Sequence, residues 1–184
     1  DCYGLGYTMN FDAELLIPDD SLSIDEGAIV GMGWQSVKDE GSFSRAIMSA
    51  LAKEYNFSLS TPFKDYPDDI KNMIINGTNG RSVKVHYKGQ RGVGEYDIAF
   101  EGLIHNMEKR YRETYSDSAK QQYEEFMRIR PCKSCHGQRL KSSSLAVTIA
   151  DKNIYQITDM SIVKLKKFLD ELELTDRQKF IGAE

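Results

Sequence analysis

Two cysteines spaced as Cys132-Lys133-Ser134-Cys135, with a third at Cys2, constrain this chain more than any other feature. Thiolates two residues apart can grip one metal ion from a single tight turn, because the loop between them directs backbone N–H groups at the sulfurs. A tetrahedral zinc needs two further ligands, of which Cys2 can supply one and a residue preceding Asp1 the other. A total of three cysteines excludes a disulfide framework of the small secreted kind. Three other readings of the motif compete. Through His136, Cys-Lys-Ser-Cys-His matches the attachment sequence of a c-type haem, a chemistry that requires export, and no evident Met or His context for a distal ligand accompanies it. A thioredoxin-like dithiol calls for a motif that opens a helix directly after a strand, whereas the preceding segment reads as helical and the following one as loop. Plain burial of the cysteines fits poorly beside Lys133, His136, Gln138 and Arg139.

The 184 residues allow one domain of about 100–150 residues plus an appendage. No apolar run approaches the ~18 residues that span a bilayer, and no apolar segment follows a basic N-terminus, so no transmembrane helix or signal peptide is expected. The chain opens on Asp1, and its last residues from Thr175 read as a newly capped helix still running at Glu184. A piece of a longer protein is the expectation. The net charge of -4 argues against a general nucleic-acid binder. That average hides a contrast: residues 81–141 hold 13 Lys or Arg against 8 Asp or Glu, and the remainder holds 11 against 20. Such asymmetry suggests one face that tolerates phosphate, although solvated helices produce similar clustering by chance.

Cys2 to Tyr7 is short, Gly-rich and aromatic and reads as a tight turn. Phe11 to Ile17 alternates weakly, with a turn at Pro18-Asp19-Asp20-Ser21. Apolar residues at 43, 47, 50, 51 and 55 make one stripe of a helix over 43–55. A shorter helix is predicted after Tyr66-Pro67, with Asp68 and Asp69 in its first turn and Asn76-Gly77 ending it. Ser82 to Lys88 and Tyr96 to Phe100 alternate with period two around Gly89-Gln90-Arg91-Gly92-Val93-Gly94, which predicts a β-hairpin with a flexible basic tip. His86 shares a face with Lys84 and Lys88 and reads as an exposed strand histidine. Two helices are predicted between Leu103 and about Arg130, broken near Thr114 to Ser118, with Ile104, Met107 and Tyr111 as the core stripe of the first and His105 partly packed. Leu145 to Ala150 and Asn153 to Ile157 suggest another hairpin, and a helix capped near Ser161 is expected from Ile162 to about Leu172. The chain has no internal repeat.

The carboxylates are many but scattered, and no pair stands out for general acid–base work. Gly4-Leu5-Gly6 and Gly89 to Gly94 lack a lysine at the spacing of a phosphate-binding loop, so nucleotide binding by this stretch alone is unsupported.

Three separated segments together resemble one family. Cys2-Tyr3-Gly4-Leu5-Gly6 is similar to the end of a Cys-x-x-Cys-x-Gly-Leu-Gly element, Phe100 to Tyr111 to a helix signature, and Arg130-Pro131-Cys132 through Arg139-Leu140 to a second cysteine pair. With Ile157-Thr158-Asp159-Met160-Ser161-Ile162 following, the order resembles the first half of UvrA, the ATPase of the bacterial excinuclease ABC system, across essentially the whole chain. The resemblance implies an α+β chain: a tail of a zinc module at 1–8; a mixed insertion domain of short helices and antiparallel hairpins at 9–120; a returning helix, a zinc-knuckle-like Cys-x-x-Cys segment and a hairpin at 121–160; and the α-helical start of a signature subdomain at 161–184. It implies Zn²⁺ on Cys2, Cys132, Cys135 and a cysteine two residues before Asp1, with water, a neighbouring molecule or His136 as a substitute for the last. It also implies a cytoplasmic, dimeric ABC-type ATPase that senses damaged double-stranded DNA in nucleotide excision repair. The partners so implied are UvrB and a second UvrA subunit, with no membrane.

ATP and Mg²⁺ belong to the Walker and signature motifs of that family, which the 184 residues do not contain, so this stretch alone is not expected to hydrolyse ATP. For the insertion domain the resemblance implies an arm on the DNA-facing side. Arg81, Lys84, Lys88 and Arg91 on the hairpin and Lys109, Arg110 and Arg112 on the helix are the candidate DNA contacts, through phosphate attraction blind to sequence. The alternatives are a structural or protein-interaction module without intrinsic DNA affinity, and a haem or redox protein.

Overall fold

The computed structural model describes residues 2–89 and 92–182, which form an α+β chain in two compact units, Met9–Arg128 and Asp1–Thr8 with Ile129–Glu184. Strands β1 (Tyr7–Phe11) and β4 (Met127–Pro131) pair, and each runs across a boundary between the units. The weak alternation over Phe11 to Ile17 misplaced this part. The strand ends at Phe11, and α1 (Ala13–Leu16) follows because the Asp12 side chain accepts the Glu14 N–H at 3.0 Å. Arg128 closes the unit by reaching Asp12 and Glu14 at 3.3 and 2.9 Å.

Helix α2 (Phe43–Glu54) forms where the apolar stripe predicts it. Ser42 accepts the Arg45 N–H at 3.0 Å, a cap worth about 1 kcal/mol. Ile47, Met48 and Leu51 are buried from this helix, each contributing about 1.5–3 kcal/mol. Helix α3 (Asp68–Asn76) starts after Pro67 with both aspartates in its first turn, and Gly77 ends it.

β2 (Ser82–Gly89) and β3 (Gly92–Ala99) form the expected antiparallel hairpin, with a longer ladder than the composition suggests. The ladder runs out to Lys88↔Val93 and Gly89↔Gly92, so the strands continue through most of the stretch read as a loose tip. α2 packs on β2, and Val83 and Val85 are buried. Helices α4 (Leu103–Glu113) and α5 (Asp117–Glu124) follow, with Leu103 and Met107 buried and Ile104 and Tyr111 packed against the core. His105 is exposed rather than partly packed. Residues 127–131 form β4 and not a continuation of the second helix, because the Phe126 N–H turns back to the Tyr123 carbonyl at 3.0 Å and the Asp12 N–H takes up the Phe126 carbonyl. Phe11, Tyr111 and Tyr123 meet edge to face, at 6.1–6.5 Å between centroids.

In the other unit, α6 (Ser142–Leu145) precedes a hairpin of two residues per strand, β5 (Thr148–Ile149) and β6 (Lys152–Asn153). Both arms are shorter than predicted, since Leu145 belongs to α6 and the chain leaves the hairpin after Asn153. Asn153 and Gln156 form a reciprocal cap that turns the chain into α7 (Ile154–Thr158). Helix α8 (Ile162–Asp170) is capped by Ser161. Thr175 and Gln178 cap α9 (Asp176–Ile181), with Gly182 at its C-cap, and the last two residues of the helix expected to run to Glu184 lie outside the described residues. No helix among the described residues is long and apolar enough to cross a membrane.

Candidate functional site

Within the cysteine-bearing unit, two turns face each other. The Leu5 N–H closes on the Cys2 carbonyl at 2.9 Å, and the His136 N–H closes on the Cys132 carbonyl at 2.7 Å. The Cys132 N–H reaches across to the Gly6 carbonyl at 2.9 Å. Gly6, at φ 83°, lies so close to the second turn that a Cβ there would stand 2.7 Å from Arg139 Cγ and 2.9 Å from the Gly137 carbonyl oxygen.

This packing gathers three sulfurs. Cys2, Cys132 and Cys135 place their Sγ atoms within 4.8 Å of one another, with Cys2 and Cys135 3.7 Å apart. Four thiolates around zinc at about 2.3 Å define a tetrahedron with edges of about 3.8 Å, which the separation of Cys2 and Cys135 matches. The Gly6 N–H, 3.4 Å from Cys2 Sγ, is the main reason the Cys2 thiol is lowered to about 7. A thiol poised to ionise near neutrality is the protonation state that a metal needs. Cys2 and Cys132 are buried and Cys135 is half-buried. The donor set fits a thiolate-bound metal. His136 is exposed and stands outside the group, so it is not the fourth donor in this arrangement.

The segment before Cys132 is strand β4 and not a helix, so a redox dithiol has the preceding strand that its motif requires. The helix it also requires is missing, because residues 133–137 form turns and the motif opens no helix.

The basic candidates lie in the Met9–Arg128 unit, and they do not form one patch. Lys84 and Lys88 share a face of β2, but Lys84 Nζ is 3.0 Å from Glu95 Oε1 and stands opposite Asp97. The Glu95 contact and charge raise the Lys84 ammonium above its ordinary value. His86 is exposed, as expected, with Nδ1 3.3 Å from the same carboxylate. Lys88 faces Val93 and has no ion pair among the described residues. Arg81 is exposed in the turn entering β2, its carbonyl accepting the Thr78 hydroxyl at 2.6 Å. Arg91 lies outside the described residues. On α4, Lys109, Arg110 and Arg112 are exposed but diverge. Arg110 lines a recess with Gly33, Trp34 and Phe43, whereas Arg112 lines another with Phe11, Tyr111 and Met127.

A groove of about 1,110 Å³ runs between α2 and β2, and its cations include two that the sequence reading missed. Arg45 and Lys53 stand two helical turns apart on α2 and line this groove together with Lys84 and Lys88. Their i, i+8 spacing was the available signal. Arg45 is paired with Asp25, while Lys53 is unpaired among the described residues.

Comparison with known proteins adds independent findings. A family model described as the UvrA DNA-binding domain matches residues 12–125. UvrABC system protein A of Clostridium tetani is 40% identical over 181 residues, covering 98% of this chain and 19% of the relative. The protein of the same name from Methanothermobacter thermautotrophicus is 36% identical over 186 residues, again 19% of its length. The chain therefore spans about a fifth of these relatives. In fold it is similar to UvrA2 from Deinococcus radiodurans, whose crystal structure superposes with a TM-score of 0.65 at 22% identity, over 98% of this chain and 23% of that one.

Proposed function

This chain belongs to the UvrA family, and from that membership we propose that its Met9–Arg128 unit contacts DNA in nucleotide excision repair, sensing distorted duplex within an ATP-driven dimer. The observation that carries the reading is a coincidence of boundaries: the compact unit spans residues 9–128 and the matched DNA-binding domain 12–125. Cations on the hairpin and on α4 attract phosphate without regard to sequence, which suits a protein that meets lesions in any sequence. ATP with Mg²⁺, UvrB, a cytoplasmic setting and a second UvrA subunit belong to the same reading, as attributes of the whole-length family. The role of this chain's own residues is contact and positioning.

Cys2, Cys132 and Cys135 would hold a structural Zn²⁺. When bound, the metal supplies a cross-link between the Cys2 turn and the Cys132–Cys135 turn. An X-ray fluorescence scan on the reduced, zinc-supplied chain is expected to find one zinc per chain, and none would reject the site.

Fluorescence anisotropy with a short duplex tests the DNA role. Affinity should fall linearly with salt on logarithmic axes, and joint charge reversal of Arg81, Lys84, Lys88 and Arg91 should weaken binding and flatten the slope. Undetectable affinity at low salt, or a flat slope for the unaltered chain, would instead favour an interaction module. The pairing of Lys84 with Glu95 is the one observation on that side.

A further inference from the structure

We propose that Phe43, Tyr87 and Tyr96 form a stacking surface for unpaired nucleobases, an inference that rests on the DNA-binding reading and adds which form of DNA the surface selects. The Phe43 ring, at the start of α2, stands edge-on to Tyr87 of β2 at 5.1 Å between centroids and to Tyr96 of β3 at 5.9 Å. Pairing of Val85 with Tyr96 and of Tyr87 with Gly94 puts both tyrosines on one face of the hairpin, at diagonal positions. Tyr96 leans over Gly94, where a Cβ would stand 2.7–2.8 Å from the ring and its hydroxyl. Its resting place exists because residue 94 has no side chain.

The same face changes character along its length. Val83 and Val85 are sealed under α2 at 3% and 0% exposure, whereas Phe43 keeps 42% and Tyr96 48% despite their mutual contacts. Three rings in fixed edge contact thus offer open faces at the end of the hairpin where the aliphatic core stops.

Unpaired cations line the same recesses as the rings. Phe43 shares its recess of about 270 Å³ with Arg110, and Tyr87 shares the larger groove with Lys53 and Lys88. None of these three cations has a hydrogen bond or ion pair among the described residues. Glu40 and Glu54 line the same groove, so charge alone is not selective there. The occupant that matches is a strand whose phosphates meet these cations while a base stacks on a ring. Every base has a π-face, so no sequence is read. In intact duplex those faces are already stacked on neighbouring pairs, so the surface favours DNA with unpaired or unstacked nucleotides.

The test uses the 184-residue chain with three probes that share one sequence and a single 2-aminopurine: single strand, full duplex, and duplex with the 2-aminopurine in an unpaired bubble. The unaltered chain is expected to bind strand and bubble more tightly than duplex and to quench 2-aminopurine fluorescence. Tyr96→Leu, which keeps apolar bulk, should weaken strand and bubble binding at least about fivefold with little change for duplex, and Tyr96→Phe should restore it. Gly94→Ala, which displaces the ring without removing it, should reproduce the loss at unchanged circular dichroism. Salt-dependent duplex binding without strand preference or quenching, or equal losses on all three probes in Tyr96→Leu, overturns the stacking surface and leaves the DNA-binding reading standing. Binding to none of the probes overturns both.

Discussion

Gly77 and Gly102 pass each other with no room for a side chain on either. A Cβ on Gly102 would stand 2.4 Å from the Asn76 carbonyl carbon, and one on Gly77 would stand 2.6 Å from the Phe100 carbonyl oxygen. Both residues have positive φ, at 97° and 85°. Beside the crossing, the Thr78 N–H donates to the Phe100 carbonyl at 2.8 Å, so the end of α3, the base of the hairpin and the start of α4 are fixed together.

Gly102→Ala should therefore cost about 2–3 kcal/mol, combining backbone strain with a clash against main chain that cannot swing aside. Gly41→Ala, where nothing lies within 4 Å, should stay near neutral. Urea denaturation of both variants checks the contrast, and equal midpoints would refute it.

Acid should weaken the loop around Ser23. Glu26 accepts both the Ser23 N–H and hydroxyl at 2.8 Å, and these bonds hold its carboxyl below the ordinary 4.5. The folded value lies below the unfolded one, so the stabilisation is present above that ordinary value and is lost as pH falls through the depressed one. Stability of the unaltered chain relative to Glu26→Gln should hold from neutrality to about pH 5 and shrink below it. Parallel pH curves would contradict the assignment.

Lys84 and Lys88 should differ in DNA binding although they are neighbours on one strand face. Glu95 already compensates Lys84, so Lys84→Ala should barely change the salt slope. Lys88→Ala should reduce it by about one unit if that side chain meets phosphate. Equal slopes for the two variants would rule out the distinction.

Gly6→Ala should loosen the proposed zinc site without touching a sulfur. The new Cβ would push the Cys2 turn away from Gly137 and Arg139, separating Cys2 from Cys132 and Cys135. Zinc affinity, read by competition with a chromophoric chelator, should fall at least about tenfold, and thiol titration should find Cys2 deprotected first. Unchanged affinity would mean that the two turns do not position the sulfurs.

What could be read in advance follows the range of the interactions involved. α2 and α3 were legible because their stripes, caps and stops lie within a few residues of one another. β1 and β4 were not, since each is short and is defined by a partner at the other end of the unit. The spacing of the cysteines pointed to their gathering, whereas Gly6 showed its place only once the Cys132 turn lay against it. The hairpin cations illustrate the middle case. Their alternation was visible, but which carboxylate faces each depends on register, and a turn judged too wide hides the pairing of Lys84 with Asp97.

The Asp12 N–H donates to the Phe126 carbonyl at 3.0 Å, so the Met9–Arg128 unit brings its own two ends together. In entropic terms such a unit closes one long loop, at a cost that grows only with the logarithm of its length. Changes of length inside the unit should therefore cost little at this closure.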